Sequence, residues 1–282
     1  MSKKEIDPVL FEKFLQSSKQ YAKASQKNKH IAQEWFKVAN EDISVSKLCF
    51  VNKHYASSIY HLQQAFEKLT KCYYILSGRM EPDQARDHRF ILNQLKKDIK
   101  DEYINSILEL LKSISENTTN LTLEVNSLEI LEKNEEQLRQ IAVLDIEKFF
   151  NLFNALDTKL LNPQFILSIE KKIKQRKVKK SIRHIILKIT HFRTSYSQVE
   201  EAINKKQVEL YVQMSIMNIK LLFLSLTTYV HFNTPRYPSN KDSNMKHSDY
   251  SEQLGIVKKI SLFHESFDNI SNQLQKDHFS KE

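Results

Sequence analysis

The chain has 282 residues, with 43 Lys and Arg against 34 Asp and Glu for a formal charge of +9, and only two glycines and five prolines. So few chain breakers in a sequence rich in Leu, Ile, Lys and Glu argue for an all-α protein of long helices joined by polar loops, with length enough to bury a substantial core. Glycines at 78 and 255 alone exclude a glycine-rich phosphate loop and P-loop nucleotide hydrolysis.

The chain shows no basic-then-apolar leader, and its longest apolar run, over 221–230, is too short to span a bilayer. Cys49 and Cys72 fall in helical stretches and imply no disulfide framework. A soluble, cytoplasmic protein with no membrane partner is expected.

A first amphipathic helix is expected over about 9–24, after Asp7-Pro8. A second, over about 30–51, carries an apolar stripe of Ile31, Trp35, Val38, Val45 and Cys49 that Asp42 interrupts. An acid in such a stripe is costly unless answered, so Asp42 should find a cation or donor on a neighbouring helix. The next helix, over about 54–77, places Tyr55, Ile59, Leu62, Phe66, Leu69, Tyr73 and Leu76 in steps of four and three, and that side should be buried. On its shoulders Gln63 stands four residues from Glu67, and Gln64 four from Lys68, the spacing at which side chains meet along a helix. Gly78, just past the end, suits the left-handed conformation that closes a helical hairpin.

The chain restarts near His88 and continues through Leu92 and Leu95 to Ile114, followed by a loop over 115–120. Helices over about 128–157 and 163–190 come next. Residues 101–150 hold eleven acids and four bases, whereas 171–199 hold ten bases and no acid. On the basic segment Lys177, Lys180 and Lys188 share a face, either a surface for RNA or the solvated side of a helix drawn to its acidic neighbour. A long helix over about 198–230 leads into an 18-residue loop over 232–249 with two prolines. Loops of that length in helical proteins are uncommon and often functional. Asp249 has the character of an N-cap, with Glu252 three residues on. The last helix would then turn Tyr250, Leu254, Val257, Ile260, Phe263, Phe267, Ile270 and Leu274 to the core.

Several blocks in this order carry a family resemblance. Trp35-x3-Ala39-x2-Asp42-Ile43, Tyr55-Ala56, His61-x-Gln63-Gln64-Ala65-x-Glu67-Lys68-x-x-Lys71, His88-x-x-x-Leu92 and Arg236-Tyr237-Pro238 resemble the HEPN domain. The resemblance implies an up-and-down four-helix bundle. Its organisation here would be an N-terminal helical extension over 1–29, a first half of the bundle over 30–97, a helical insertion over 98–195 and a second half over 196–282.

HEPN proteins include metal-independent ribonucleases of toxin-antitoxin and defence systems, and also modules that bind nucleotides, RNA or a nucleotidyltransferase partner without cutting. The nuclease members carry Arg, four to six residues, then His on the last helix. An imidazole there can shuttle the 2′-hydroxyl proton, and a guanidinium can steady the phosphorane charge. This chain departs from that spacing: ten residues separate Arg236 from His247, eight separate Arg79 from His88, and seven separate Arg183 from His191. The expectation is therefore a homodimeric, non-catalytic module. Asp42, Lys68, Lys71, His88 and Tyr237, with Lys177, Lys180 and Lys188, would bind its ligand or partner. The alternative is a ribonuclease using Arg236 and His247. Arg236 has a structural role open to it as well, bonding the Asp42 carboxylate or helix-end carbonyls while Tyr237 fills a gap between helices. No cofactor or metal is expected, since His54 and His61 lack the further ligands zinc needs.

Overall fold

Between Pro8 and Val51 the chain runs as a single helix, α1, where two had been expected. The stretch around residues 24–29 is polar but contains neither Gly nor Pro, and polarity alone does not break a helix. The computed structural model describes residues 8–86, 135–155, 205–231 and 246–279. Within these, α2 spans Tyr55–Leu76, α3 Glu135–Arg139, α4 Val143–Ala155, α5 Lys205–Tyr229, α6 Gly255–Lys258 and α7 Ile260–Leu274; the described residues contain no strand. The chain divides into two compact units, one of Met1–Lys19 with Phe153–Ile216 and one of Gln20–Leu152 with Met217–Glu282. The boundary at Phe153 falls inside the 98–195 segment. All contacts below lie in the second unit.

Contacts fix the direction of each helix. Ser46 meets Ser58 and Asp42 meets His61, so α2 returns antiparallel along α1. Lys53, at φ 60, makes the tight turn between them. The pairs Lys47–Asp268, Ser46–His264 and Asn40–Ser271 run α7 antiparallel to α1. Thr70–Ser225 and Arg79–Asn218 run α5 antiparallel to α2. The result is an up-down-up-down bundle of α1, α2, α5 and α7.

Its core is aromatic. Phe66 of α2 meets Phe267 at 5.7 Å, Phe263 meets Phe150 of α4 at 5.1 Å, and Phe223 of α5 stacks on Phe149 at 3.5 Å. Such rings bury large apolar areas and add geometry-dependent attraction. The α2 stripe is buried from Ile59 through Leu76, and Gly78 adopts φ 70 past its end.

On α1 the buried side is shifted by one position from the stripe that hydropathy suggested. Ala32, Phe36, Ala39, Ile43 and Ser46 face the core, whereas Ile31, Val38 and Val45 are 38–41% exposed. Hydropathy picks the larger aliphatics, but close helix approach favours the small residues Ala32, Ala39 and Ser46, which recur every seven positions.

The last helix also begins later than Asp249. A 3-10 turn, His247–Asp249, precedes it, with the Asp249 carboxylate accepting the Lys246 backbone N–H at 2.6 Å. Glu252 accepts the Tyr55 hydroxyl instead of capping a helix. The expected core positions from Val257 to Leu274 are all buried.

Candidate functional site

The α1/α2 seam gathers most of the sequence-predicted polar residues that the structure describes. Asp42 lies on the shoulder of α1, next to buried Ile43, and points toward α2. There Lys68 donates to its Oδ2 and His61 Nδ1 donates to its Oδ1 at 3.1 Å. The acid has thus found both a cation and a donor on the neighbouring helix. Exposure falls from 29% for the His61 side chain to 19% for Lys68 and 14% for Asp42, so this cluster borders solvent.

A second line of polar groups lies deeper. Gln64 Nε2 donates to Gln63 Oε1 at 2.6 Å, Gln63 Nε2 to Glu67 Oε2 at 3.0 Å, and Lys71 Nζ to Glu67 Oε1 at 2.7 Å. Lys71 also sits 4.8 Å from the centre of the Trp35 ring, a cation–π contact across to α1. The side chains of Lys71 and Glu67 are 1% and 4% exposed. Of the two four-residue pairings expected on α2, Gln63–Glu67 is formed. Gln64 turns to Gln63 instead, because Asp42 takes the Lys68 ammonium and a charge-assisted bond outcompetes a neutral one.

This arrangement is electrically closed, with each ammonium matched to a carboxylate. Lys71 is an interior group whose removal from Glu67 would leave a buried charge. Lys68 and His61, at the solvent border, are the members of the seam that an incoming anion or partner could reach.

His247 stands elsewhere, exposed on the 3-10 turn. His88, Arg236, Tyr237, Lys177, Lys180 and Lys188 lie outside the described residues. Among the described residues no group of three His, Cys, Asp or Glu could hold a metal ion, and no helix is long and apolar enough to cross a membrane.

Two histidines that sequence reasoning did not single out are built into the packing. His231, at the end of α5, is fully buried and its Nδ1 lies 2.8 Å from the Tyr250 hydroxyl. Burial, aided by the nearby Arg139 guanidinium, lowers its pKa to about 3. The bond joins the end of α5 to the residue that follows the 3-10 turn. Arg139 Nε donates to the Val230 carbonyl at 3.0 Å, and Gly255 packs on the Ile141 carbonyl, where any Cβ would collide. The break between α3 and α4 thereby touches both the end of α5 and the start of α6.

His264 lies on α7, with Nε2 3.0 Å from Ser46 Oγ. Burial and the Lys47 ammonium lower its pKa to about 4, against a smaller upward pull from Asp268. The sequence signal for both imidazoles was weak: each is a single polar residue among buried apolar ones.

Compared with known protein families, residues 32–156 match the HEPN domain. The matched segment begins at Ala32, includes all of α2 and the seam, and extends through α4. Neither curated proteins nor solved structures give a match.

Proposed function

Because residues 32–156 make the chain a member of the HEPN domain family, we propose that it is a non-catalytic module binding a nucleotide, an RNA or a nucleotidyltransferase partner in a toxin-antitoxin or defence setting. It would act in the cytoplasm as a homodimer. One observation carries the non-catalytic half of this reading: three imidazoles of the bundle are already committed. His61 bonds Asp42, His231 bonds Tyr250 and His264 bonds Ser46. The last two are held neutral with pKa values of about 3 and 4, far from the near-neutral value an efficient proton shuttle requires. The closed charge balance of the seam supports the same view, since Asp42 and Glu67 are occupied by ammonium groups.

A second reading, a metal-independent ribonuclease using Arg236 and His247, draws support from the exposed position of His247. One experiment separates the two. Wild type and Arg236→Ala are expressed in growing cells and scored for growth arrest and RNA integrity, and the purified proteins are incubated with RNA in chelator. The module reading expects intact RNA with both proteins, and a thermal shift of the wild type with nucleotide, RNA or a nucleotidyltransferase. RNA cleavage by wild type that Arg236→Ala abolishes would establish the nuclease instead.

A further inference from the structure

Both helices of the first hairpin end in the same capping motif, with one difference. At the end of α2 the Gly78 amide bonds the Ile75 carbonyl at 3.2 Å and the Arg79 amide bonds the Tyr74 carbonyl at 2.9 Å, with Gly78 at φ 70. At the end of α1 the Lys53 amide bonds the Phe50 carbonyl at 2.9 Å and the His54 amide bonds the Cys49 carbonyl at 2.8 Å, with Lys53 at φ 60. This pattern of bonds calls for a left-handed residue, most often glycine, at the position that Lys53 fills. In that conformation the Cβ of an L-residue crowds the backbone, so lysine costs stability there that glycine would not.

A locally costly residue persists where its side chain serves something else. Lys53 is exposed and pairs with no carboxylate of its own chain among the described residues, whereas Lys47, Lys68 and Lys71 each bond one. Twelve residues earlier on the same helix, Glu41 is also exposed and unmatched among them, while Glu34 is held by Lys37 at 2.9 Å. Between these two charges lie the exposed Val45 and Leu48. At about 3.6 residues per turn, Glu41, Val45 and Leu48 fall on one narrow side of α1, and Lys53 stands at its end.

The spacing of these residues is self-complementary. The midpoint of Glu41 and Lys53 is residue 47, and that of Val45 and Leu48 falls half a residue away, about 0.8 Å along the axis. A second copy turned end for end about this point therefore sets Glu41 against Lys53 and Val45 against Leu48 in one register, twice over by symmetry. A parallel pairing sets Glu41 against Glu41 and Lys53 against Lys53, and sliding by a helical turn separates both matched pairs at once. We propose that Lys53 fixes the orientation and register of the homodimer, its ammonium pairing with the second copy's Glu41 at each end of an α1–α1 seam centred on Val45 and Leu48. The inference rests on the homodimer reading and adds which face pairs and which residue sets its direction. The left-handed turn is then a place where stability is given up for specificity.

The test is the dimer dissociation constant of the full chain by sedimentation equilibrium at low salt, with circular dichroism to confirm each fold. Lys53→Glu should weaken pairing about tenfold, because it sets like charges together at both ends of the seam, and Lys53→Glu with Glu41→Lys should restore it. Lys53→Gly suits the turn, so at concentrations where both are single chains it should unfold at a higher temperature than wild type, yet it should pair more weakly. These opposite signs separate a specificity residue from a merely structural one. A wild type that stays a single chain at every concentration overturns the homodimer reading and the proposal with it. A wild-type dimer unaffected by Lys53→Glu overturns the role of Lys53 alone, and a double variant that pairs no better than Lys53→Glu overturns Glu41 as its partner.

Discussion

At the scale of single residues, the two buried histidines make a definite statement about pH. His231 and His264 have folded-state pKa values of about 3 and 4, below the ordinary value of 6.5. The unfolded chain therefore takes up protons between pH 6.5 and those values that the folded chain refuses, and stability must fall as pH drops. It is fully present above about pH 7. Each histidine costs up to about 1.4 kcal/mol per pH unit within its window. The groups facing His231 are Tyr250 and Arg139; those facing His264 are Ser46, Phe50, Lys47 and Asp268. Urea denaturation at pH 7.5, 6.0 and 5.0 should show a steep loss for wild type and a shallower one for His264→Gln. Equal slopes would remove His264 from the account. None of this was legible from sequence, because a histidine's pKa depends on burial, and burial depends on partners more than two hundred residues away, as Ser46 is from His264.

At the scale of elements, α2 was readable almost in full, since its apolar heptad and its terminal glycine are both local signals. The face of α1 was not, because small residues that permit close packing carry little hydropathy of their own. The Glu67–Lys71 pair shows what the seam contributes. Removing one partner leaves the other buried and charged, a loss of about 3–5 kcal/mol, whereas replacing both with apolar residues of similar size is close to neutral. Lys71→Met should accordingly be far more destabilising than Glu67→Gln with Lys71→Met, in which the amide oxygen still accepts the Gln63 bond and no charge is left buried, a contrast readable from urea midpoints. If the double variant is no better than the single, the pair is not the source of the cost. Gly255 offers a second element-level test. Its helical start lies against the Ile141 carbonyl, a backbone atom that cannot swing aside as a long side chain would. Gly255→Ala should cost about 1–3 kcal/mol by overpacking. An unchanged thermal midpoint would show that the α3–α4 break yields freely.

At the scale of the whole molecule, order of blocks was enough to identify the bundle, because its helices are paired by residues that the sequence displays: Asp42 with Lys68, and the stripe from Ile59 to Leu76. Assembly is a different matter, decided by what the folded chain leaves uncovered. The side of α1 opposite its core face exposes Val38 at 39%, Val45 at 38%, Leu48 at 64% and Val51 at 77%. A like copy is the partner that the proposed homodimer places there. In an antiparallel two-fold pairing the end of this face bearing Glu41 meets the end bearing Lys53, so opposite charges approach while the valines and Leu48 interlock. A parallel pairing would set Glu41 against its own copy. Light scattering on the eluting protein should therefore give twice the 33.3 kDa of one chain. Val45→Glu with Leu48→Glu should return it to a single chain without altering helicity, since neither residue is part of the bundle core. A wild type that elutes as one chain, or a double variant that still pairs, places the interface elsewhere and leaves the exposed stripe of α1 to a different partner.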